Sequence, residues 1–288
     1  MVKFIFVTFL ISFCLSAQAI DSLNIKRKNT VMISQGILTS GALVGLHELW
    51  YKDFEKSSFH FKDDAKHWLQ MDKAGHFHSA YHLNRLSADL MAWSGETKKN
   101  QHLYGFIYTQ AFLTTVEIFD GFSKAWGFSW SDLSANLIGS GLFVGQDILW
   151  QEQRIIPKFS FQTTTFAQQR PEALGKSFSE QLLKDYNGQT YWLSFNIHAF
   201  TKNKDIPKFL NIALGYGAEG MLTATPTNQT EDKRYRQFYL SLDIDLQRIE
   251  TKKRWLKSLF SILNVLKVPF PALEFSTKNV VKGHLFHY

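Results

Sequence analysis

Apolar residues recur with a helical period in the first half of the chain, and they alternate with polar residues in much of the second half. The helical period predicts four helices, over residues 30–50, 72–93, 101–124 and 131–154. Capping chemistry supports two of these helices, because Asn29–Thr30 opens the first and Ser131–Asp132 opens the fourth. A polar connector over residues 51–70 separates the first helix from the second.

Alternation of apolar and polar residues predicts antiparallel strands, each with one buried face, after Pro157. The segments with this pattern, the first two strong and the others weaker, are residues 191–199, 237–246, 159–166 and 210–218. Two other segments, residues 177–185 and 254–267, have the period of amphipathic helices. We therefore expect about five or six strands in this half of the chain.

These patterns predict an α+β protein, in which an N-terminal four-helix bundle is followed by an antiparallel β-rich C-terminal region. The predicted divisions are a signal peptide over residues 1–19, a helical unit over residues 20–156 and a β-rich region over residues 157–288. We expect the bundle to be membrane-apposed or membrane-embedded. Its segments 103–119 and 133–149 each have 17 residues and few charges, which is the lower edge of the length that a bilayer span needs.

The first 19 residues have the organisation of a secretory signal peptide. Lys3 precedes an apolar stretch, and residues 17–19 follow the small-x-small cleavage rule. Phe13 is too bulky to precede a lipidated cysteine, so we expect no lipid on Cys14. Cleavage would remove Cys14, the only cysteine, and the mature chain would then contain neither a disulfide nor a thiolate. The sequence thus predicts an exported protein.

The composition indicates which partners the chain meets. The formal net charge is +7 with neutral histidine, and 15% of the residues are aromatic. In an exported protein this charge favours anionic lipid head groups, and we expect no nucleic-acid partner. A soluble basic surface is the alternative. The expected partner is a membrane lipid or another envelope component.

Six polar residues lie inside otherwise apolar segments, and they are the candidate site residues Asp72, His76, Glu117, Asp120, Asp132 and Asn136. An unpaired buried charge is unfavourable by several kcal/mol, so these groups should meet one another, a metal or a ligand. At about 100° per residue, Asp72 and His76 share the apolar stripe of the second helix. The polar residues on the opposite stripe, which we expect to be solvated, are His78, His82, Arg85 and Asp89.

The same helical phase extends the candidate site to two more helices. Glu117 lies on the inward stripe of the third helix, and Asp120 lies about 60° from it. Asp132 and Asn136 line up on the fourth helix with Gly139, whose small size lets a neighbouring helix approach. The phase therefore predicts one polar site shared by three helices.

Three interpretations of this site follow from the residue types. Asp72, His76, Glu117 and Asp132 are suitable ligands for a divalent metal such as Zn, Mn, Mg or Fe. The same groups suit general acid–base catalysis, with His76 oriented by Asp72 or Asp132. A buried hydrogen-bond network that fixes helix register, with Lys73 as the counter-charge, is the third interpretation.

The motifs Asp72-Lys73-x-x-His76 and Ser131-Asp132-x-x-x-Asn136-x-x-Gly139, with the Glu117 and Asp120 pair between them, resemble the YfiM-like family of bacterial envelope proteins. More distantly they resemble the VanZ-like membrane proteins, in which related motifs lie on a small bundle of membrane helices. The resemblance covers residues 66–151. It implies a location in the bacterial cell envelope, either periplasmic or membrane-associated, and a compact helical unit, but no established reaction. The absence of an acceptable lipobox departs from the lipoprotein form common among YfiM-like members.

The predicted function is therefore that of an exported envelope protein with a buried polar cluster, and two classes of activity are open. One is a metal-dependent or acid–base hydrolase or transferase acting on an envelope lipid or a cell-wall intermediate, with His76 as base or ligand and Asn136 orienting a partner. The other is a non-catalytic scaffold that binds a lipid or a protein through the strand region.

Overall fold

The computed structural model describes residues 22–52, 54–226 and 234–287, without the side chains of Leu49 and Trp50. The predicted signal peptide, with Cys14, lies outside these residues. Within the described part, the chain forms two compact units. The first unit comprises residues 22–65 and 79–149, and the second comprises residues 66–78 and 150–287.

Four long helices account for most of the first half of the chain, and all four were predicted. In chain order they are α1 (Ile25–Leu46), α2 (Met71–Trp93), α3 (Lys98–Gly121) and α4 (Trp130–Trp150). A π-helical turn, His47–Tyr51, follows α1, and a 3-10 turn, His67–Gln70, precedes α2. Helix α2 begins in the second unit and continues into the first.

Capping side chains explain where these helices begin. The Asn24 side chain accepts a hydrogen bond from the Arg27 N–H at 3.0 Å, so α1 starts five residues before the predicted position. Thr97 caps α3 in the same way through the N–H of Asn100, at 3.4 Å. In the first unit, apolar packing around Val31, in α1, adds to this local stabilisation.

The membrane-embedded interpretation of the helices needs correction. Among the described residues, no helix combines the length and the apolar character that crossing a bilayer requires. The physical reason is the polar content of the helices: α3, for example, begins with Lys98 and Lys99 and also contains Glu117 and Asp120.

The second half forms an antiparallel sheet in which each strand pairs with the next, in the order β1 to β6. The strands are β1 (Ile155–Phe161), β2 (Gln189–Asn196), β3 (Leu210–Glu219), β4 (Tyr235–Ile244), β5 (Phe270–Ser276) and β6 (Val281–His287). The short helices between them are α5 (Phe166–Gln169), α6 (Pro171–Leu174), α7 (Phe178–Lys184), α8 (Ile197–Thr201) and α9 (Arg254–Leu263). The described residues thus form an α+β protein, which confirms the predicted class at this level.

A small aromatic cluster lies on the buried face of the sheet. Trp192 in β2 and Tyr239 in β4 are 1% and 4% exposed, and they pack with Ala213 in β3. A Cβ atom on Gly215 would lie 2.7 Å from the Trp192 ring. Glycine at this position therefore makes room for the indole.

Candidate functional site

Asp72 and His76 occupy successive turns at the start of α2. Asp72 lies in the first turn, where the helix dipole favours a carboxylate. Asp72 Oδ1 and His76 Nε2 are 3.9 Å apart, and the two side chains are 24% and 17% exposed. The i,i+4 spacing therefore directs an acid and an imidazole toward one half-buried space.

A left-handed turn immediately before α2 positions this pair. Trp68, Leu69 and Gln70 have φ angles of 48°, 51° and 66°, a region that residues other than glycine seldom adopt. Each residue held there is unfavourable by about 1–2 kcal/mol. The direction of α2 is therefore set by a backbone conformation that surrounding contacts must stabilise.

Side chains from the sheet supply these contacts. The Tyr216 hydroxyl donates to the carbonyl of Leu69. The Arg236 guanidinium donates to Gln70 Oε1 at 2.6 Å. Met71, the first residue of α2, is completely buried. In the second unit, β3 and β4 thus fix the start of the helix that carries Asp72.

Tyr186 and Lys73 determine the charge state of Asp72. The Tyr186 hydroxyl donates to Asp72 Oδ1 at 2.8 Å, and Lys73 Nζ donates to Oδ2 at 3.0 Å. Burial alone would raise the pKa of Asp72. The charges of His76 and Lys73 and the Tyr186 hydrogen bond outweigh burial, so the pKa lies below its ordinary value. Asp72 is therefore a carboxylate at neutral pH.

Tyr191 forms another wall beside this turn of α2. A Cβ atom on Gly75 would lie 2.9 Å from the Tyr191 hydroxyl oxygen, so glycine permits the close approach. The hydroxyl donates to Gln189 Oε1 at 2.9 Å. Burial, with a further contribution from the negative charge of Asp72, raises the pKa of Tyr191. Tyr191 therefore stays neutral and acts as a hydrogen-bond donor.

The prediction of a solvated stripe on α2 is wrong at three of its four positions, because His78 and His82 are half-buried and Arg85 is buried, while Asp89 is exposed. His78 is half-buried, and its ring lies 6.0 Å from the Phe159 ring and 5.8 Å from the Tyr191 ring. Burial lowers the pKa of His78 to about 4, against a smaller opposing effect of the hydrogen bond with the Val265 backbone. Arg85 is only 8% exposed. Because α2 packs against other elements on more than one side, helical phase alone could not separate its buried and solvated faces.

Glu117 and Asp132 converge on Ser129 in the first unit. Glu117 is completely buried and accepts a hydrogen bond from the Ser129 N–H at 3.3 Å. The Asp132 N–H donates to Ser129 Oγ at 3.1 Å, which makes Ser129 the N-cap of α4 in place of the predicted Ser131. Asp132 is 4% exposed. The helix cap thus connects the Glu117 carboxylate with the backbone of Asp132.

A third acid, Asp64, completes this group. Ser129 Oγ donates to Asp64 Oδ1 at 2.5 Å, and Ser131 Oγ donates to the same oxygen at 2.8 Å. Asp64 belongs to the predicted polar connector and was not among the candidate residues. Its role could not be inferred from local pattern, because its partners lie 65 and 67 residues away.

Asn136 lies deeper in α4 and contributes through its backbone. Gln110 Nε2 donates to the Asn136 carbonyl at 3.2 Å and to Ser140 Oγ at 2.8 Å. Asn136 and Ser140 are both completely buried. Asp120 is half-buried near the end of α3, where its carbonyl accepts from the Ser123 N–H at 3.0 Å.

The structure therefore pairs Asp72 with His76, and it joins the Glu117 carboxylate to the backbone N–H of Asp132 through Ser129. That the Asp72 and His76 pair forms one site with Glu117 and Asp132 stays a prediction. Sequence reasoning missed Tyr186, which is 114 residues from Asp72. Ser129 could have been found, because a serine three residues before an acid at a helix start is a capping-box pattern.

Comparison with known proteins adds one similarity. Residues 58–145 match the model of a family described as "Predicted periplasmic lipoprotein (DUF2279)". The match covers less than a third of the chain, but it contains all six candidate site residues. Comparisons with curated proteins and with solved structures found no match.

The family match supports an exported protein of the bacterial cell envelope, and it brings no activity with it. It does not confirm the YfiM-like or VanZ-like resemblance. The description as a lipoprotein differs from our expectation for Cys14, which lies outside the described residues.

Proposed function

We propose that this cell-envelope protein binds a divalent metal ion through Asp72, His76 and Asp132, with Glu117 as a further ligand. The observation that carries the proposal is the 3.9 Å separation of Asp72 Oδ1 and His76 Nε2 on successive turns of one helix. Neighbouring ligand atoms of a metal ion lie roughly 3–3.5 Å apart when metal–ligand bonds are near 2.1 Å. A small side-chain rotation is therefore sufficient to bring this pair within that separation.

The donor set fits a divalent ion such as Zn, Mn, Mg or Fe. Carboxylate oxygens and an imidazole nitrogen suit these ions. Asp72 and His76 are half-buried and Asp132 is buried, so few water molecules compete for the ligands. The lowered pKa of Asp72 keeps this ligand deprotonated, as metal binding requires. Lys73 is the counter-charge of Asp72 in the absence of an ion. A bound metal ion would replace the Lys73 ammonium group in this role.

Such a centre suits a hydrolase or transferase that acts on an envelope lipid or a cell-wall intermediate. A bound ion would supply Lewis-acid polarisation of a phosphoryl or carbonyl oxygen. Among the residues of this chain, Tyr186 holds the Asp72 carboxylate through its hydroxyl. His76 would hold or transfer a proton whenever it is not a ligand. Membrane lipid or another envelope component is the proposed partner.

A non-catalytic role is the second candidate, and a different observation favours it. Glu117 is completely buried and accepts a hydrogen bond from the N–H of Ser129, the N-cap of α4. Buried polar groups that are hydrogen-bonded in this way can fix the register of packed helices. Under this hypothesis the acids stabilise a scaffold, and binding occurs through the strand region.

Elemental analysis and calorimetric titration with Zn²⁺ and Mn²⁺ test the metal proposal on the mature chain. His76→Ala and Asp132→Asn should each weaken binding by at least roughly tenfold, as the loss of one ligand or one outer-shell partner commonly does. His102→Ala is the matched control. His102 Nε2 lies 2.6 Å from Asp147, so this variant removes another half-buried histidine from an acid.

Equal binding by wild type and His76→Ala would contradict the proposal, as would a folded wild type that takes up neither ion. Loss of thermal stability in His76→Ala and Asp132→Asn, combined with no binding by wild type, would favour the scaffold. Retained metal binding without turnover of envelope lipids would leave the metal centre in place and exclude the enzyme hypothesis for those substrates.

A further inference from the structure

In strands β3, β4 and β5 of the second unit, the usual arrangement of apolar residues inside and polar residues outside is reversed. Residues that point to the buried face are polar or small, apart from Tyr239, and residues that point outward are apolar. The outward set, which we call the apolar sheet face, consists of Ile212, Leu214, Phe238, Leu240, Leu242, Leu273 and Phe275. Each of these side chains is between 40% and 50% exposed.

Strand register makes this face continuous. Leu214 lies directly opposite Leu240, and Leu240 lies opposite Leu273. Phe238 and Phe275 form a neighbouring cross-strand pair. Side chains that oppose each other in this way are about 4.5–5.5 Å apart at Cβ. The apolar side chains therefore form contiguous rows, and such exposed patches mark interaction sites in soluble proteins.

The polar face underneath is internally satisfied, so the reversal belongs to the fold. Lys158 and Asp243 form an ion pair at 2.8 Å with no exposure of either side chain. Ser194 Oγ donates to Asp243 at 2.6 Å. Gln237 Nε2 donates to Glu274 at 3.1 Å. Turning the strands over would break these pairs and put the charges in water.

One end of the same sheet is strongly cationic. Strands β2 and β4 both end there, because the strands alternate in direction. The exposed cations that follow these two strand ends are Lys202, Lys204, Lys208, Lys252, Lys253, Arg254 and Lys257, seven in all. The exposed acids in the same segments are Asp205 and Glu250, and Glu250 is paired with Lys208. We call this region the cationic end.

We propose that the apolar sheet face docks onto a lipid bilayer and that the cationic end lies among anionic head groups. The charge of the cationic end complements phosphate-bearing lipids. Trp255, which is 53% exposed in the same segment, is a residue that favours the bilayer interface. Leucine and phenylalanine side chains of the apolar sheet face would contact acyl chains. An apolar protein partner would explain the face alone but would not require the cations at its end.

Vesicle flotation of the mature chain tests this proposal. The probes are vesicles of phosphatidylcholine with and without phosphatidylglycerol. We expect binding to the anionic vesicles and weaker binding in high salt. Combining Leu214→Glu with Leu240→Glu should lower the affinity at least roughly tenfold, because each leucine would lose its apolar contact. Combining Lys252→Glu with Lys253→Glu should remove most of the preference for phosphatidylglycerol.

Matched controls make the same charge changes elsewhere. Ile37 and Val44 in α1 are 68% and 64% exposed, so Ile37→Glu with Val44→Glu is the control for the leucines. Lys99→Glu with Lys176→Glu, both exposed, is the control for the lysines. Each control should bind vesicles as wild type does, and circular dichroism should show that all variants are folded.

Failure of wild type to bind anionic vesicles would overturn the proposal. Equal loss of binding in the leucine variant and in its control would also overturn it, because the effect would then not belong to this face. A wild-type dimer that becomes a monomer in the leucine variant, with vesicle binding unchanged, would assign the apolar sheet face to a second copy of the chain instead.

Discussion

The buried ion pair in the sheet gives a stability prediction whose size follows from the structure. Lys158 Nζ lies 2.8 Å from Asp243 Oδ2, and both side chains have no exposure. Lys267 Nζ, also buried, is 3.8 Å from the other carboxylate oxygen. Asp243 is therefore the counter-charge for two ammonium groups that water cannot reach.

Asp243→Ala should be severely destabilising. Removing one partner of a buried ion pair is unfavourable by about 3–5 kcal/mol, because the remaining charge stays buried. The variant also removes the acceptor of the Ser194 hydroxyl, and a lost hydrogen bond to a charged group adds about 1.5–3 kcal/mol. We expect a loss of at least ~4 kcal/mol, which is a large part of the ~5–15 kcal/mol that stabilises a typical domain.

Urea denaturation followed by circular dichroism measures this loss. Glu55→Ala is the control, since Glu55 pairs with Lys124 at 2.6 Å while their side chains are 76% and 70% exposed. That surface pair should contribute less than about 1 kcal/mol. Adding Lys158→Met to Asp243→Ala should recover part of the stability by removing one stranded charge. Equal losses in Asp243→Ala and Glu55→Ala, or no recovery with Lys158→Met, would refute the reasoning.

Two other predictions concern pH and helix packing. Burial, assisted by the charge of His284, lowers the pKa of His287 to about 4, whereas an unfolded histidine titrates near ~6.5. The unfolded state binds more protons between these values, so stability falls as pH drops from about 6.5 toward 4. His287→Phe should flatten this dependence in urea midpoints measured at several pH values, and an unchanged slope would contradict the assignment. In α3, a Cβ atom on Gly105 would lie 2.5 Å from Asn84 Oδ1, so Gly105→Ala should destabilise by about 1–3 kcal/mol. Gly141→Ala in α4 is the control, because a Cβ atom there would have no neighbour within 4 Å. This substitution should stabilise the protein by roughly 0.5–1 kcal/mol. Similar melting-temperature shifts for the two variants would show that the close approach at Gly105 is unimportant.

The helices were predictable because their period and caps are local properties. The errors occur at the ends, where Asn24 and Ser129 act as caps ahead of the residues we chose. The i,i+4 relation of Asp72 and His76 is equally local, so the sequence predicted their proximity. Tyr186 was not predictable, since only the folded second unit brings it to Asp72.

The last two strands were missed for a different reason. Pro271 lies inside β5, and a proline within an apolar run argues against a strand. The β5–β6 pairing also shifts register between Phe270 and Ala272, which interrupts the alternation that sequence reasoning relies on. Both features are tolerated because backbone pairing with the neighbouring strands compensates for the local irregularity.

An alternating sequence pattern does not determine which face of a strand is buried. A period of two predicts a strand, but it does not state which face lies inside. The polar positions of β2 and β3 include Ser194, Asn196 and Asn211, which are small groups able to satisfy one another. Water-facing strand positions in soluble proteins more often carry lysine or glutamate, which are seldom fully buried. In these strands, small hydroxyl and amide side chains alternate with leucine and phenylalanine, and this composition already favoured burial of the polar face. The apolar side chains then form the outer face, where they need a partner other than water.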